Sequence, residues 1–170
     1  MSGTENVHEV RRLAVPLPLP YAEAVAKFEE IVPVVDAPRF MELSSWAEVE
    51  ALAEKEAPLG FMRYWTADIS ELMVGGTALW ECSEYLMGNH VIAERMYRYD
   101  PSVMLHAPLR VVIRADDSGT AVFVIDQPST LFDSYERREI AEVGRELDAK
   151  VAAVLRALGA EPPAVLVHDE

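Results

Sequence analysis

The chain is poor in cysteine, since among its 170 residues only Cys82 carries a thiol. A lone cysteine cannot form an intrachain disulfide, which argues against a disulfide-built secreted domain. The N-terminus has no apolar signal segment, and no apolar run approaches the roughly 18 residues typical of a membrane helix. We therefore expect a cytoplasmic protein.

Basic residues are also scarce. The chain has 15 of them against 29 acidic residues, which gives a formal net charge of −14. Phosphate backbones and anionic membranes repel such a charge, so we expect neither a nucleic-acid partner nor a membrane partner. Hydrophobic residues make up 51% of the chain, enough for one domain with a full core.

The pattern of apolar residues and breakers predicts one α+β domain over residues 8–159, with a loose N-terminal tail at 1–7 and a C-terminal tail at 160–170. Strands are predicted at 8–15, 60–69, 77–86, 109–115 and 120–126. Helices are predicted at 21–31, 46–57, 90–99 and 135–158. Pro16, Pro18 and Pro20 predict an extended connection after the first strand. This order favours an antiparallel sheet with helices packed on one face.

Local signals support several of these elements. Asn89 precedes an apolar stripe at helical spacing and is a good N-cap, and Ser45 with Glu48 has the spacing of a capping box. Asp116 to Gly119 separates two runs rich in β-branched residues and predicts a hairpin turn, in which Gly119 takes a positive φ.

An ordered set of short motifs resembles the domain-of-unknown-function family 302. The matching residues are Gly60-Phe61, Gly88-Asn89, Asp100-Pro101, Ala107-Pro108-Leu109-Arg110, Asp126 with Pro128-Ser129, and Leu147-Asp148 with Lys150. The resemblance implies a TBP-like fold of the β-α-β4-α type, here with an extra helical insertion, and a homodimer. It implies no established reaction.

Two departures from the family pattern are histidines. His90 stands where the family commonly has proline, and His106 stands where an aromatic residue is common. Imidazole can carry a proton near neutral pH or bind a metal, so His90 and His106 are candidates for acid–base catalysis, together with Asp126. Two separate structural histidines are the alternative. No metal-binding spacing is present, so a metal is supported only weakly, and a haem ligated by one of these histidines is a further alternative.

Arg110 is the candidate anchor for an anionic group, because its planar fork matches a carboxylate or phosphate. A structural ion pair between Arg110 and Asp126 is the alternative. Asn89 is expected to fix a second polar group of a ligand. We expect a ligand pocket between the sheet and the helices, with walls formed by Trp65, Trp80 and Tyr85.

Three functions are therefore open. The first is a homodimeric small-molecule-binding domain with a pocket between sheet and helices. The second is an enzyme of uncharacterised type that uses His90 or His106 as acid/base or as metal or haem ligand. The third is a structural or interaction module.

Overall fold

Five strands form one antiparallel sheet in the part of the chain that the structure describes, residues 3–77 and 79–167 of a computed structural model. The strands are β1 (Arg12–Pro20), β2 (Met62–Asp68), β3 (Cys82–Gly88), β4 (Leu109–Ala115) and β5 (Thr120–Asp126), and their order in the sheet is β1-β5-β4-β3-β2. The helices are α1 (Tyr21–Ile31), α2 (Ala37–Met41), α3 (Trp46–Glu56), α4 (Ile69–Leu72), α5 (His90–Tyr97), α6 (Pro128–Phe132) and α7 (Arg138–Ala157). The α+β fold class is confirmed.

One face of the sheet forms the core. Alternate residues of the strands, such as Tyr85, Val111 and Phe123, are fully buried there. Helices α1 and α7 contribute Phe28 and Val151 to the same cluster. Successive residues of a strand point to opposite faces of the sheet, so every second residue of each strand faces the core.

The other face of the sheet stays partly open to solvent, and we call it the open face. Trp65 pairs with Leu86 across β2 and β3, and Val112 pairs with Val124 across β4 and β5. All four lie on the open face and are partly or largely exposed. A sheet face on which apolar side chains stay partly exposed is a candidate interaction surface.

The first strand differs from its prediction. We expected a strand at 8–15 followed by an extended connection, but β1 covers Arg12–Pro20 and includes the prolines. β1 is an edge strand that pairs only with β5, and its register shifts between Pro16 and Pro20. In an edge strand, every second backbone N–H points away from the sheet and makes no inter-strand hydrogen bond. Proline, which lacks this N–H, is therefore tolerated there.

Other boundaries also shift. The predicted strands at 60–69 and 77–86 are found at Met62–Asp68 and Cys82–Gly88, and Ala78 lies outside the described residues. The long helix begins at Arg138 rather than 135, because a short 3₁₀ turn precedes it and Glu136 has a positive φ of 53°.

The local signals named above are confirmed. The side chain of Asn89 accepts a hydrogen bond from the Val91 amide, and Ser45 with Glu48 forms a reciprocal capping box. β4 and β5 pair as a hairpin, and Gly119 has a φ of 81°.

The expected C-terminal tail packs against the domain as far as it is described. Leu166 is fully buried in the core, and Gln127 donates a hydrogen bond to the carbonyl of Val165. The ends of both predicted tails, residues 1–2 and 168–170, lie outside the described residues. Within the described ranges, none of the helices combines the length and apolar character needed to cross a bilayer.

Candidate functional site

Two cavities lie beside the segment that leads into β4. Both are lined by Met104, Ala107, Pro108 and Leu109. The first, which we call the apolar cavity, also contacts α5 and α7. The second, which we call the polar groove, also contacts the N-terminal segment and the end of β5.

The apolar cavity has a volume of about 130 Å³. Its polar side chains are Tyr64, Asn89 and His90. The apolar lining residues are Phe61, Ile92, Ala93, Met96, Met104, Ala107, Pro108, Leu109, Phe132 and Leu147. Met104 is 46% exposed, so one part of this lining is reachable from solvent. Such composition suits a small, largely apolar molecule.

Tyr64 and His90 form a close pair at this cavity. The Tyr64 Oη lies 2.6 Å from His90 Nδ1, and it accepts a hydrogen bond of 3.0 Å from the His90 backbone N–H. Burial lowers the pKa of His90 and raises that of Tyr64, which favours two neutral groups. If the hydroxyl donates to Nδ1, the neutral ring carries its proton on Nε2, for which the described residues provide no partner.

Asn89 has a structural role. Its Oδ1 accepts from the Val91 amide at 3.0 Å and its Nδ2 donates to the Gly60 carbonyl at 3.2 Å. Both ends of the amide are therefore engaged within the protein. These two hydrogen bonds fix the Asn89 side chain at the wall of the apolar cavity. Each end keeps one further donor or acceptor position, and the expectation that Asn89 fixes a polar group of a ligand stays a prediction.

The polar groove brings three of the candidate residues together. His106, Arg110 and Asp126 line it with His8, around a volume of about 440 Å³. Its apolar lining residues are Val10, Leu86, Met104, Leu105, Ala107, Pro108, Leu109 and Leu131. His90 does not line this groove, so the two candidate histidines serve different cavities.

His106 is surrounded by rings. Its ring centroid lies 6.3 Å from that of His8 and 6.2 Å from those of Phe132 and Tyr135. Burial lowers the pKa of His106, the neighbouring His8 lowers it further, and Asp126 opposes the shift. A neutral imidazole is therefore favoured near pH 7, as a general base or a hydrogen-bonding ligand contact requires.

The expected ion pair between Arg110 and Asp126 is not the one found. Arg110 Nη1 lies 2.7 Å from Glu84 Oε1, and Asp126 pairs with Arg12 at 3.3 Å. The reason is the sheet register, since Arg110 pairs with Leu86 on β3, next along the same face to Glu84, and Arg12 lies opposite Asp126 on β1. The Arg110 side chain remains 72% exposed.

The aromatic residues expected to share one pocket are separated by the sheet. Tyr85 is fully buried on the core face, and its hydroxyl donates to Glu29 at 3.1 Å. Trp65 is 45% exposed on the open face, and Trp80 lies in the loop before β3. The expected pocket built from Arg110, Asn89 and these three aromatic residues is therefore wrong as a single site.

Cys82 lies in a separate wide groove beside the α4 loop, with Trp80 and Arg114 among the lining residues. Burial and Glu84 raise the pKa of the Cys82 thiol more than Arg114 lowers it. A thiol that stays protonated is a poor nucleophile. Among the described residues, no cluster of three or more His, Cys, Asp and Glu side chains is arranged to hold a metal.

Sequence reasoning missed two members of these sites. Tyr64 lies 26 residues from His90, and His8 lies 98 residues from His106. No local spacing connects either pair, since both contacts arise from the packing of distant segments. In the predicted order of elements, Tyr64 falls inside the strand at 60–69 and His8 begins the strand at 8–15.

The fold and its cavities define a single-sheet α+β domain with candidate binding sites. The family model described as "Domain of unknown function DUF302" matches residues 42–158, and the chain belongs to this family. The resemblance drawn from the short motifs is therefore confirmed. A crystal structure of an uncharacterized conserved DUF302 protein from Bacillus stearothermophilus has the same fold, with a TM-score of 0.63 at 15% identity over 86% of this chain and 97% of that chain. No curated protein matches the chain.

Proposed function

We propose that the protein is a small-molecule-binding domain whose ligand occupies the apolar cavity. The observation that carries this proposal is a space of about 130 Å³ between sheet and helices, walled almost entirely by apolar side chains. In another protein, an engineered apolar cavity of about 150 Å³ binds benzene. The ligand expected here is of that size and largely apolar.

Benzene is the probe for this proposal, and methyl resonances of methionine are the readout. Met96 and Met104 both line the cavity, whereas Met41 is largely exposed on α2. We expect saturable shifts at Met96 and Met104 in a methyl-labelled sample, with little change at Met41. The absence of saturable shifts at the two lining residues would contradict the proposal.

A matched pair of variants tests the location. Ala93 lies in the cavity wall, so Ala93→Leu fills the space and is expected to abolish the benzene shifts. Ala149→Leu adds the same volume at an exposed position of α7 and leaves them unchanged. Thermal unfolding of both variants verifies that they are folded. Binding that persists in folded Ala93→Leu would place the ligand elsewhere.

A homodimer is the second part of this proposal, and the open face supports it. Val112, Val124 and Trp65 leave apolar area partly exposed there, and burial of apolar area drives association. We expect sedimentation to give twice the mass of one chain. Val124→Asp should then give monomers, while Ala26→Asp, at an exposed position of α1, should not. The TBP-like relationship and a cytoplasmic location stay predictions as well.

The absorbance spectrum and the metal content of the purified protein distinguish the enzyme alternative from the small-molecule-binding domain. A Soret band or a bound metal that is lost on substitution of His90 or His106 would favour this alternative. Colourless, metal-free protein that binds benzene in the apolar cavity would favour the binding domain.

A further inference from the structure

We propose that the polar groove is a second site that binds small amphipathic carboxylates, with Arg110 as the anchor for the anionic group. This proposal is independent of the apolar cavity, because no residue that carries it acts there. The ligand class follows from a guanidinium and two imidazoles that line one groove together with exposed apolar side chains.

The guanidinium of Arg110 has donors to spare. Its contact with Glu84 runs through Nη1, and the side chain is 72% exposed. Arginine carries five N–H donors in a planar fork, so the edge formed by Nε and Nη2 is left for a bidentate acceptor. Among the described residues, no hydrogen-bond partner contacts that edge. A carboxylate can therefore bind there without breaking the pair with Glu84.

The charges around the groove are balanced rather than strongly positive. Asp126 lines it but pairs with Arg12, just as Arg110 pairs with Glu84. These four charges sum to zero, so the local charge depends on the imidazole of His106, which lines the same groove. Protonation of this ring makes the groove cationic, so carboxylate binding is expected to strengthen as the pH falls.

The apolar part of the ligand has its own contacts. Leu86 lies on the open face beside Arg110, and Leu105 is 81% exposed at the other wall. A carboxylate joined to a compact ring or branched chain would place its charge at Arg110 and cover these leucines. Inorganic phosphate or acetate lacks that second part and should bind more weakly.

Benzoate and benzamide form the test pair, because they share shape and differ in charge. Titration followed by isothermal calorimetry and by backbone amide shifts is expected to show benzoate binding at least about tenfold more tightly, since charge-assisted bonds to a guanidinium are involved. Arg110→Met should lose this preference. Arg114→Met, on the same strand and the same face, should keep it. The Ala93→Leu variant should also bind benzoate normally.

The pKa of His106 provides a second measurement. It should change when benzoate binds at Arg110, and it should not change if Arg110 has only a structural role. Bound carboxylate favours the protonated ring, so by linkage benzoate should raise the pKa of His106, measured from its ring proton shifts against pH. The groups that face this ring are His8, Asp126, Phe132 and Tyr135, with Arg110 across the groove. Equal binding of benzamide, retained benzoate affinity in folded Arg110→Met, or an unchanged His106 pKa would each overturn the proposal.

Discussion

The hydroxyl of Tyr64 contacts His90 twice, at 2.6 Å to the ring Nδ1 and at 3.0 Å to the backbone N–H. One side chain on β2 thereby holds both the imidazole and the first residue of α5. The imidazole also packs edge-on against Phe40 of α2, with centroids 4.5 Å apart. Helix α2, the edge strand β2 and the wall of the apolar cavity therefore meet at His90.

Removing this hydroxyl should destabilise the fold. Tyr64→Phe leaves the half-buried Nδ1 and the His90 amide without their partner, and we expect a loss of about 1–3 kcal/mol in the free energy of unfolding. Urea denaturation measures it. Tyr97→Phe, at an exposed position near the end of α5, is the control and should change stability by less than about 0.5 kcal/mol. Equal effects of the two substitutions would contradict the role given to Tyr64.

Stability should fall as the pH falls through the range in which histidine titrates. Burial lowers the pKa of both His90 and His106 in the folded protein. The unfolded chain, with histidine near its ordinary pKa of about 6.5, then binds protons more readily, so acid favours unfolding below that pH.

The measurement is the free energy of unfolding at about pH 7.5 and about pH 5.5. In the variant carrying both His90→Gln and His106→Gln, we expect a smaller loss between these pH values than in the wild type, because glutamine does not titrate. Carboxylates are present in both proteins, so the difference between them reports the two histidines. The same loss in both proteins would show that the pKa of neither histidine changes on unfolding.

Asp148 should be among the most sensitive positions of α7. This fully buried carboxylate accepts hydrogen bonds from the Ser129 backbone N–H at 2.9 Å, from its hydroxyl at 2.7 Å and from Gln127 Nε2 at 2.7 Å. Asp148→Asn replaces one acceptor oxygen by a donor that faces other donors. We expect a loss of about 3 kcal/mol.

Urea denaturation again gives the value, and Glu146→Gln on the same helix is the control. Glu146 makes exposed ion pairs with Arg95 and Lys150, so its neutralisation should cost less than about 1 kcal/mol. A similar loss for both variants would mean that the hydrogen bonds to buried Asp148 add no more stability than exposed ion pairs.

Gly60 should resist substitution more strongly than Gly119. Both have positive φ values, 83° and 81°, but a Cβ on Gly60 would lie 2.9 Å from Cδ of Lys150, whereas none of the described atoms lies within 4 Å of a Cβ on Gly119. Left-handed backbone costs a non-glycine residue about 1–2 kcal/mol at either site.

We therefore expect Gly60→Ala to lose more stability than Gly119→Ala in thermal and urea unfolding. Adding Lys150→Ala to Gly60→Ala should recover part of the difference, because the crowding atom is removed. A loss that is the same at both glycines, or that Lys150→Ala leaves unchanged, would show that the lysine moves aside without cost.

Much of the fold could be predicted because its signals are local. The capping side chains of Asn89 and Ser45 act within three residues, and the β4–β5 hairpin is set by its own turn. The predicted first strand at 8–15 ends too early, because proline breaks a strand in the interior of a sheet but not at its edge. Whether proline fits depends on whether the strand lies at an edge, and that is decided by the order of strands in the sheet.

The candidate sites could be predicted only in part. His106, Arg110 and Asp126 do line one groove, but the partner of Arg110 is Glu84. Sequence alternation shows that two residues lie on opposite faces of a strand, and it does not show which face becomes the core. For that reason Tyr85 and Trp65 could be assigned to one pocket although the sheet separates them.

The sequence by itself determined the α+β class, the caps, the hairpin and the family, because these depend on short-range geometry and on the order of apolar segments. Only the tertiary structure decided the strand register, the pairing of Tyr64 with His90 and the separation of the two histidines into different cavities. These contacts join residues far apart in the chain. Their formation depends on how whole layers pack, which no local spacing records.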